Sequence, residues 1–212
     1  DTNLARYKDL FVKETAKWDY LISQNRYSTE IFRRAFAFDR QILEIGYPRN
    51  DILFRGNDPD FIRQVKTRLN LPADKRIVLY APTWRDDEYH KKGRYKINLA
   101  LNLAYMRNEL GPEYVFILKT HYLIADQLDL RDYDGFAYSF SNDQDIQELY
   151  LIADLLVTDY SSVMFDYSIL NRPMIFFAYD LEKYKKQIRG FYTDLEQIAP
   201  GPIVTTNEQL AA

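Results

Sequence analysis

The chain of 212 residues contains no cysteine and only two histidines. The first absence removes disulfide frameworks and thiolate-held zinc and suits a reducing compartment, while the second leaves little for a histidine-rich metal centre. Charge of one sign is lacking as well: 28 Lys and Arg stand against 31 Asp and Glu, a formal net charge of −3. That balance argues against the uniformly basic surface of a nucleic-acid binder. No run approaches the roughly eighteen apolar residues that span a bilayer, and Asp1-Thr2-Asn3-Leu4-Ala5-Arg6 does not read as a signal peptide. Glycine is scarce, with seven residues. Neither the dinucleotide fingerprint nor the Walker pattern occurs, which disfavours NAD enzymes and P-loop NTPases.

What is present is apolar residues, at 47%, with 18 tyrosines and 13 phenylalanines. This is enough for a proper core, and most of the aromatics are expected in it or in strands. From Leu71 onward short apolar runs alternate with helical patterns, the signature of a doubly wound parallel sheet with crossover helices. Strands are expected at 77–81, 114–119, 135–138, 155–158, 174–178 and 203–205, and helices at 99–108, 145–153 and 161–170. In the second helix Ile146, Leu149, Tyr150 and Ala153 share one face, and Ser141 with Gln144 has capping-box spacing. Earlier in the chain, 19–23 and 42–46 read as strands and 28–38 as a helix, followed by a turn at 47–51. Two strands and a helix cannot cover both faces of a Rossmann-like sheet. Residues 1–56 are therefore expected to be the end of a second α/β domain, and 57–212 a complete one.

In an open α/β sheet ligands bind at the carboxyl ends of the strands, and four polar stretches fall on that edge. Leu155-Leu156-Val157-Thr158 runs into Asp159-Tyr160-Ser161-Ser162 and a helix. The hydroxyls and carboxylate there could serve the helix amides as ordinary caps, or an anion such as phosphate could take the same position. After 77–81 comes Pro82-Thr83-Trp84-Arg85, in which Thr83 and Arg85 are candidate phosphate contacts. After 114–119 comes Thr120-His121, whose imidazole could move a proton or stabilise charge. Arg189 beside Gly190 is a candidate phosphate clamp. Asp86, Asp87 and Glu88 could hold a divalent cation such as Mg, although such runs more commonly form solvated faces; no metal ligand is assigned.

Taken in order, Gly46-Tyr47-Pro48-Arg49-Asn50-Asp51, Ala81-Pro82-Thr83-Trp84-Arg85, Lys119-Thr120-His121, Thr158-Asp159-Tyr160-Ser161-Ser162-Val163-Met164-Phe165-Asp166, Arg189-Gly190-Phe191-Tyr192 and Pro200-Gly201-Pro202 resemble the CDP-glycerol glycerophosphotransferase family. The resemblance implies a glycosyltransferase-B fold of two Rossmann-like domains. It implies transfer of glycerol phosphate, or ribitol phosphate, from a CDP-alditol to a teichoic acid or capsule polymer, with release of CMP. The implied partners are CDP-glycerol or CDP-ribitol, a lipid-linked polyol-phosphate acceptor and the membrane surface, with the enzyme cytoplasmic and peripheral to the inner face of the bacterial membrane. Thr158, Ser161 and Ser162 would contact the donor diphosphate, and Asp159 would cap the helix or meet the ribose. Asn142 and Asp143 would read the base or ribose. His121 matches the active-site histidine of the C-terminal domain, as general acid toward CMP or as electrostatic stabiliser. The family's Trp-His-Gly-Thr-Pro type element is not found in this sequence. A nucleotide-sugar glycosyltransferase or epimerase of the same fold, and a non-catalytic nucleotide- or polymer-binding module, are the competing readings.

Overall fold

The computed structural model describes residues 2–83, 89–91, 94–95, 99–119, 129–140, 144–184 and 193–212, with the backbone alone at 2–5, 89–91 and 94–95. The chain divides into two compact units, Asp1–Asp51 and Ile52–Ala212.

The first unit holds helix α1 (Thr2–Thr15), strand β1 (Tyr20–Ser23), helix α2 (Arg26–Ala35) and strand β2 (Gln41–Glu44), and the two strands pair in parallel. Both expected strands and the expected helix are present. Helix α2 starts two residues early because Asn25 caps it, accepting from the Ser28 amide at 2.9 Å. Helix α1 was legible from no apolar stripe, since Leu10, Phe11 and Val12 run consecutively instead of at helical spacing. Its Phe11 ring stacks on Phe36 beyond the end of α2, with centroids 5.5 Å apart.

Helix α3 (Asp51–Arg55) begins at the last residue of the first unit, and α4 (Pro59–Arg68) follows in the second. Asp58 caps α4 and Pro59 occupies its first turn, where a missing N–H costs nothing. The strands that follow are β3 (Arg76–Ala81), a small hairpin β4 (Tyr89–Lys91) and β5 (Arg94–Tyr95), β6 (Tyr114–Leu118), β7 (Ala137–Tyr138), β8 (Leu155–Thr158), β9 (Met174–Phe177) and β10 (Ile203–Val204). Helices α5 (Leu103–Leu110), α6 (Ile146–Ile152), α7 (Val163–Tyr167), α8 (Leu181–Lys183), α9 (Leu195–Ile198) and α10 (Asn207–Ala211) lie between and after them. Six strands form one sheet in the order β10-β9-β8-β3-β6-β7, every neighbouring pair parallel.

The strands are apolar runs because both faces are covered. Ile77, Leu79, Val115, Ile117, Leu156 and Phe176 point to the layer that contains Leu53, Val65, Leu149 and Tyr167. Val78, Tyr80, Phe116, Val157 and Phe177 point to the opposite layer, with Leu103, Met106 and Leu210. Each of the six strands lies within its expected stretch apart from β3, which begins one residue earlier. Strand β7 is shorter than expected, since Gly135 adopts a φ of +73° to end the preceding turn. Asp145 caps α6, its carboxylate accepting from the Gln147 amide at 3.1 Å, while Ser141 of the expected capping box lies outside the described residues. Pro200-Gly201-Pro202 is structural: a Cβ at Gly201 would lie 2.0 Å from the Met174 carbonyl oxygen, so only glycine lets the chain pass β9.

At the carboxyl end of α6, Arg172 Nη1 donates to the carbonyls of Leu151 and Ala153, each at 2.7 Å, and Nη2 donates to Asn57 Oδ1 at 3.0 Å. The Tyr167 hydroxyl donates to the same Ala153 carbonyl at 3.0 Å, and burial pushes its phenol well above the ordinary range. A cation there answers helix carbonyls that have no partner within the helix. Replacement of Arg172 by methionine is expected to lower stability by about 2 kcal/mol, the cost of a lost charged donor over buried carbonyls. Urea unfolding checks this, with Arg131→Met on the exposed Asp129 pair expected to leave the midpoint unchanged.

Candidate functional site

Strand β3 is the first of its sheet in sequence. The chain moves from it to β6 and β7 on one side, then crosses back to β8, β9 and β10 on the other. The order of winding therefore reverses between β3 and β8, and in an open α/β sheet such a reversal marks the ligand crevice at the carboxyl ends of the strands.

Two side chains join the crevice walls. Thr158 is fully buried, and its Oγ1 donates to the Ala81 carbonyl at 2.7 Å. Asp159 is 1% exposed, and its Oδ1 accepts from the Thr83 amide at 2.8 Å and the Tyr160 amide at 2.6 Å. Thr158 is turned into the protein toward Ala81, and the Asp159 carboxylate is buried against the Thr83 and Tyr160 amides. A buried carboxylate is tolerable only when hydrogen-bonded, and the two amides supply that.

The serines behave differently. Ser161 is half-buried and Ser162 exposed. Ser161 Oγ accepts from the Val163 amide at a long 3.4 Å, and Ser162, the residue preceding α7, makes no side-chain capping bond. Their hydroxyls are the polar groups that this turn presents outward. Helix α7 has five residues and continues into a 3₁₀ turn at Ser168–Leu170, so its dipole adds less than the expected ten-residue helix would.

Loops from the flanking strands complete the edge. Lys119 follows β6, and its amide donates to the Tyr80 carbonyl at 2.9 Å. Burial lowers its ammonium pKa below the ordinary lysine value, and the Asp145 carboxylate offsets part of that shift. Sequence reasoning quoted Lys119 without giving it a role; its place as the residue directly after an apolar strand was the available signal. Beyond β9, Asp180 Oδ1 accepts from the Tyr160 hydroxyl at 2.9 Å. His121, Arg85, Asn142, Asp143 and Arg189 lie outside the described residues, as do Asp86, Asp87 and Glu88. Among the described residues no group of three metal-ligating side chains occurs, and no helix is long and apolar enough to cross a membrane.

If Asp159 ties the two loops, Asp159→Ala should lower stability by about 2 kcal/mol, because two part-buried amides lose a charged acceptor. Asp159→Asn keeps an acceptor oxygen and is expected to cost less than half as much, as read by urea unfolding.

The whole chain, residues 1–212, matches the family described as CDP-Glycerol:Poly(glycerophosphate) glycerophosphotransferase. It is 56% identical over 208 residues to a teichoic acid poly(glycerol phosphate) polymerase of Bacillus subtilis, covering 98% of this chain and 28% of that protein. It is 50% identical over 211 residues to a teichoic acid glycerol-phosphate transferase of Staphylococcus aureus, covering 99% of this chain and 54% of that protein. A teichoic acid poly(ribitol-phosphate) polymerase of Bacillus spizizenii is 35% identical over 182 residues, or 84% of this chain and 29% of its own length. The solved structure of the wall teichoic acid polymerase TagF superposes with a TM-score of 0.90 at 56% identity, covering 98% of this chain and 51% of TagF, and a variant of TagF has been solved after soaking with CDPG. The chain thus spans about half or less of the length of these relatives. Its parallel sheet is the Rossmann-like sheet of a glycosyltransferase-B fold. On these matches the chain belongs to the CDP-glycerol:poly(glycerophosphate) glycerophosphotransferase family.

Proposed function

We propose that this chain supplies the donor-binding half of a transferase that moves glycerol phosphate, or ribitol phosphate, from a CDP-alditol to a hydroxyl of a growing teichoic acid chain. The observation that carries the reading is the reversal of strand order between β3 and β8, where the partly exposed Ser161 and exposed Ser162 stand on a turn that buried ties hold in place. Ser161, Ser162 and Lys119 are assigned to the donor diphosphate, and Thr158 and Asp159 to positioning the loops. Arg85 and Arg189 would add cations, Thr83 would line the crevice, and Asn142 with Asp143 would meet the base or ribose. Unit Asp1–Asp51 is read as the end of the acceptor-side domain. A two-stranded parallel sheet needs further strands and covering layers, and Tyr20 and Ile45 are well exposed in this unit. The whole enzyme would work at the cytoplasmic face of the membrane on a lipid-linked acceptor.

In the proposed reaction the acceptor oxygen attacks the phosphorus that carries the alditol. The bond from that phosphorus to the bridging oxygen breaks, and CMP departs with the electron pair. The acceptor proton passes to a base of the acceptor-side domain. A phosphate monoester has a second pKa of about 6, so CMP leaves as a dianion near neutral pH with little need of a proton. His121 is accordingly assigned as a charge stabiliser, alongside fixed hydroxyls and amides.

Calorimetry should find that the chain binds CDP-glycerol or CDP-ribitol in preference to UDP-glucose, and that Ser161→Ala with Ser162→Ala weakens donor binding by about tenfold, the loss of one or two hydrogen bonds to a charged group. Preference for UDP-glucose would sink the reading. Lys119 attracts the diphosphate only while protonated. Affinity should therefore fall as pH rises through its lowered pKa, and Lys119→Arg should flatten that fall.

A further inference from the structure

We infer that Tyr160 is a positioning residue for donor binding, holding the Ser161-Ser162 turn in register between the loops of β3 and β9. The inference rests on the reading of that turn as the donor site and adds to it a residue that touches no donor atom. Tyr160 immediately precedes the serines and is held at both ends. Its backbone amide donates to Asp159 Oδ1 at 2.6 Å, and that same oxygen accepts from Thr83 at 2.8 Å. Its hydroxyl donates to Asp180 Oδ1 at 2.9 Å, in the loop after β9. Its ring lies stacked on Tyr184, with centroids 4.0 Å apart and planes at 26°, and Tyr184 is 4% exposed. Tyr184 is itself placed by its amide, which donates to the Asp180 carbonyl at 2.9 Å.

A strand-to-helix turn has no need of such a residue for its own folding, since Asp159 already anchors its backbone. The second anchor removes the remaining freedom just ahead of Ser161. With the Asp159 tie it makes one continuous series of contacts across three loops of the carboxyl edge, from Thr83 through Tyr160 to Asp180. Groups that must meet a diphosphate together gain from this, because a site loose by about 1 Å loses much of its binding or rate. The tyrosine supplies rigidity cheaply, as a flat ring with few rotatable bonds.

The test measures the Kd of CDP-glycerol for the 212-residue chain by calorimetry, together with its melting temperature. Tyr160→Phe keeps the stack and removes only the hydroxyl; it is expected to raise Kd about tenfold, the lower end of what one hydrogen bond to a carboxylate is worth. Asp180→Ala should do the same, the pair combined should be no worse than either alone, and Asp180→Asn, which keeps the acceptor oxygen, should stay within about twofold of wild type. A role in stability alone would lower the melting temperature of Tyr160→Phe and leave Kd unchanged, and that result overturns the inference. So would a double variant whose losses add. Ser161→Ala with Ser162→Ala runs alongside. If the serine variant weakens binding and Tyr160→Phe does not, only the positioning role fails. If the serine variant binds as wild type, or the wild-type chain binds no CDP-glycerol, the donor-site reading fails and this inference with it.

Discussion

The carboxylate of Asp159 lies inside the protein just past the paired ends of β3 and β8. Moving such a group out of solvent costs several kcal/mol unless its lone pairs are satisfied. Two backbone amides meet it, one from its own turn and one from the loop 76 residues earlier. The cost of burial is thereby turned into a constraint. The loop after β3 must pass close enough for the Thr83 amide to reach, and the turn after β8 must bend so that the Tyr160 amide does too. Thr158 repeats the same tie one residue earlier through the Ala81 carbonyl. The shape of the crevice follows from these contacts, and the outward serines follow from the shape.

Behind the crevice the sheet provides a stiff base. Its central strands are covered on both faces, so the ends from which the loops depart are set by close-packed side chains. Arg172 fastens the carboxyl end of α6, the helix that delivers the chain to β8, and Gly201 lets the chain run against β9 without displacing it. Both lie away from the carboxyl edge of the sheet, yet both control where β8 and β9 begin. Under the proposed function, in which phosphates are placed among fixed dipoles, that control belongs to the chemistry as much as to stability.

The sheet was legible in the sequence because doubly covered strands are nearly pure apolar runs, and Ile77-Val78-Leu79-Tyr80 or Leu155-Leu156-Val157 can hardly be read otherwise. The crevice was legible as far as its address, since a polar turn between a strand and a helix identifies the carboxyl edge. The division of labour within Thr158-Asp159-Tyr160-Ser161-Ser162 was not. Whether a carboxylate faces a ligand, a helix or another loop depends on partners such as Thr83 and Ala81, which are remote in sequence and carry no local pattern. Asp180 as the partner of Tyr160 was hidden for the same reason. Helix α1 escaped because its apolar residues are consecutive.

The central claim is that the donor diphosphate sits against the Ser161-Ser162 turn at the β3–β8 crevice. Backbone amide shifts of the isotopically labelled chain during titration with CDP-glycerol test it most directly. The account predicts that the amides of Ser161, Ser162 and Val163 move most, with Thr83 and Lys119 following. Saturating binding with those amides unmoved, and the largest shifts remote from the carboxyl edge of the sheet, would contradict it.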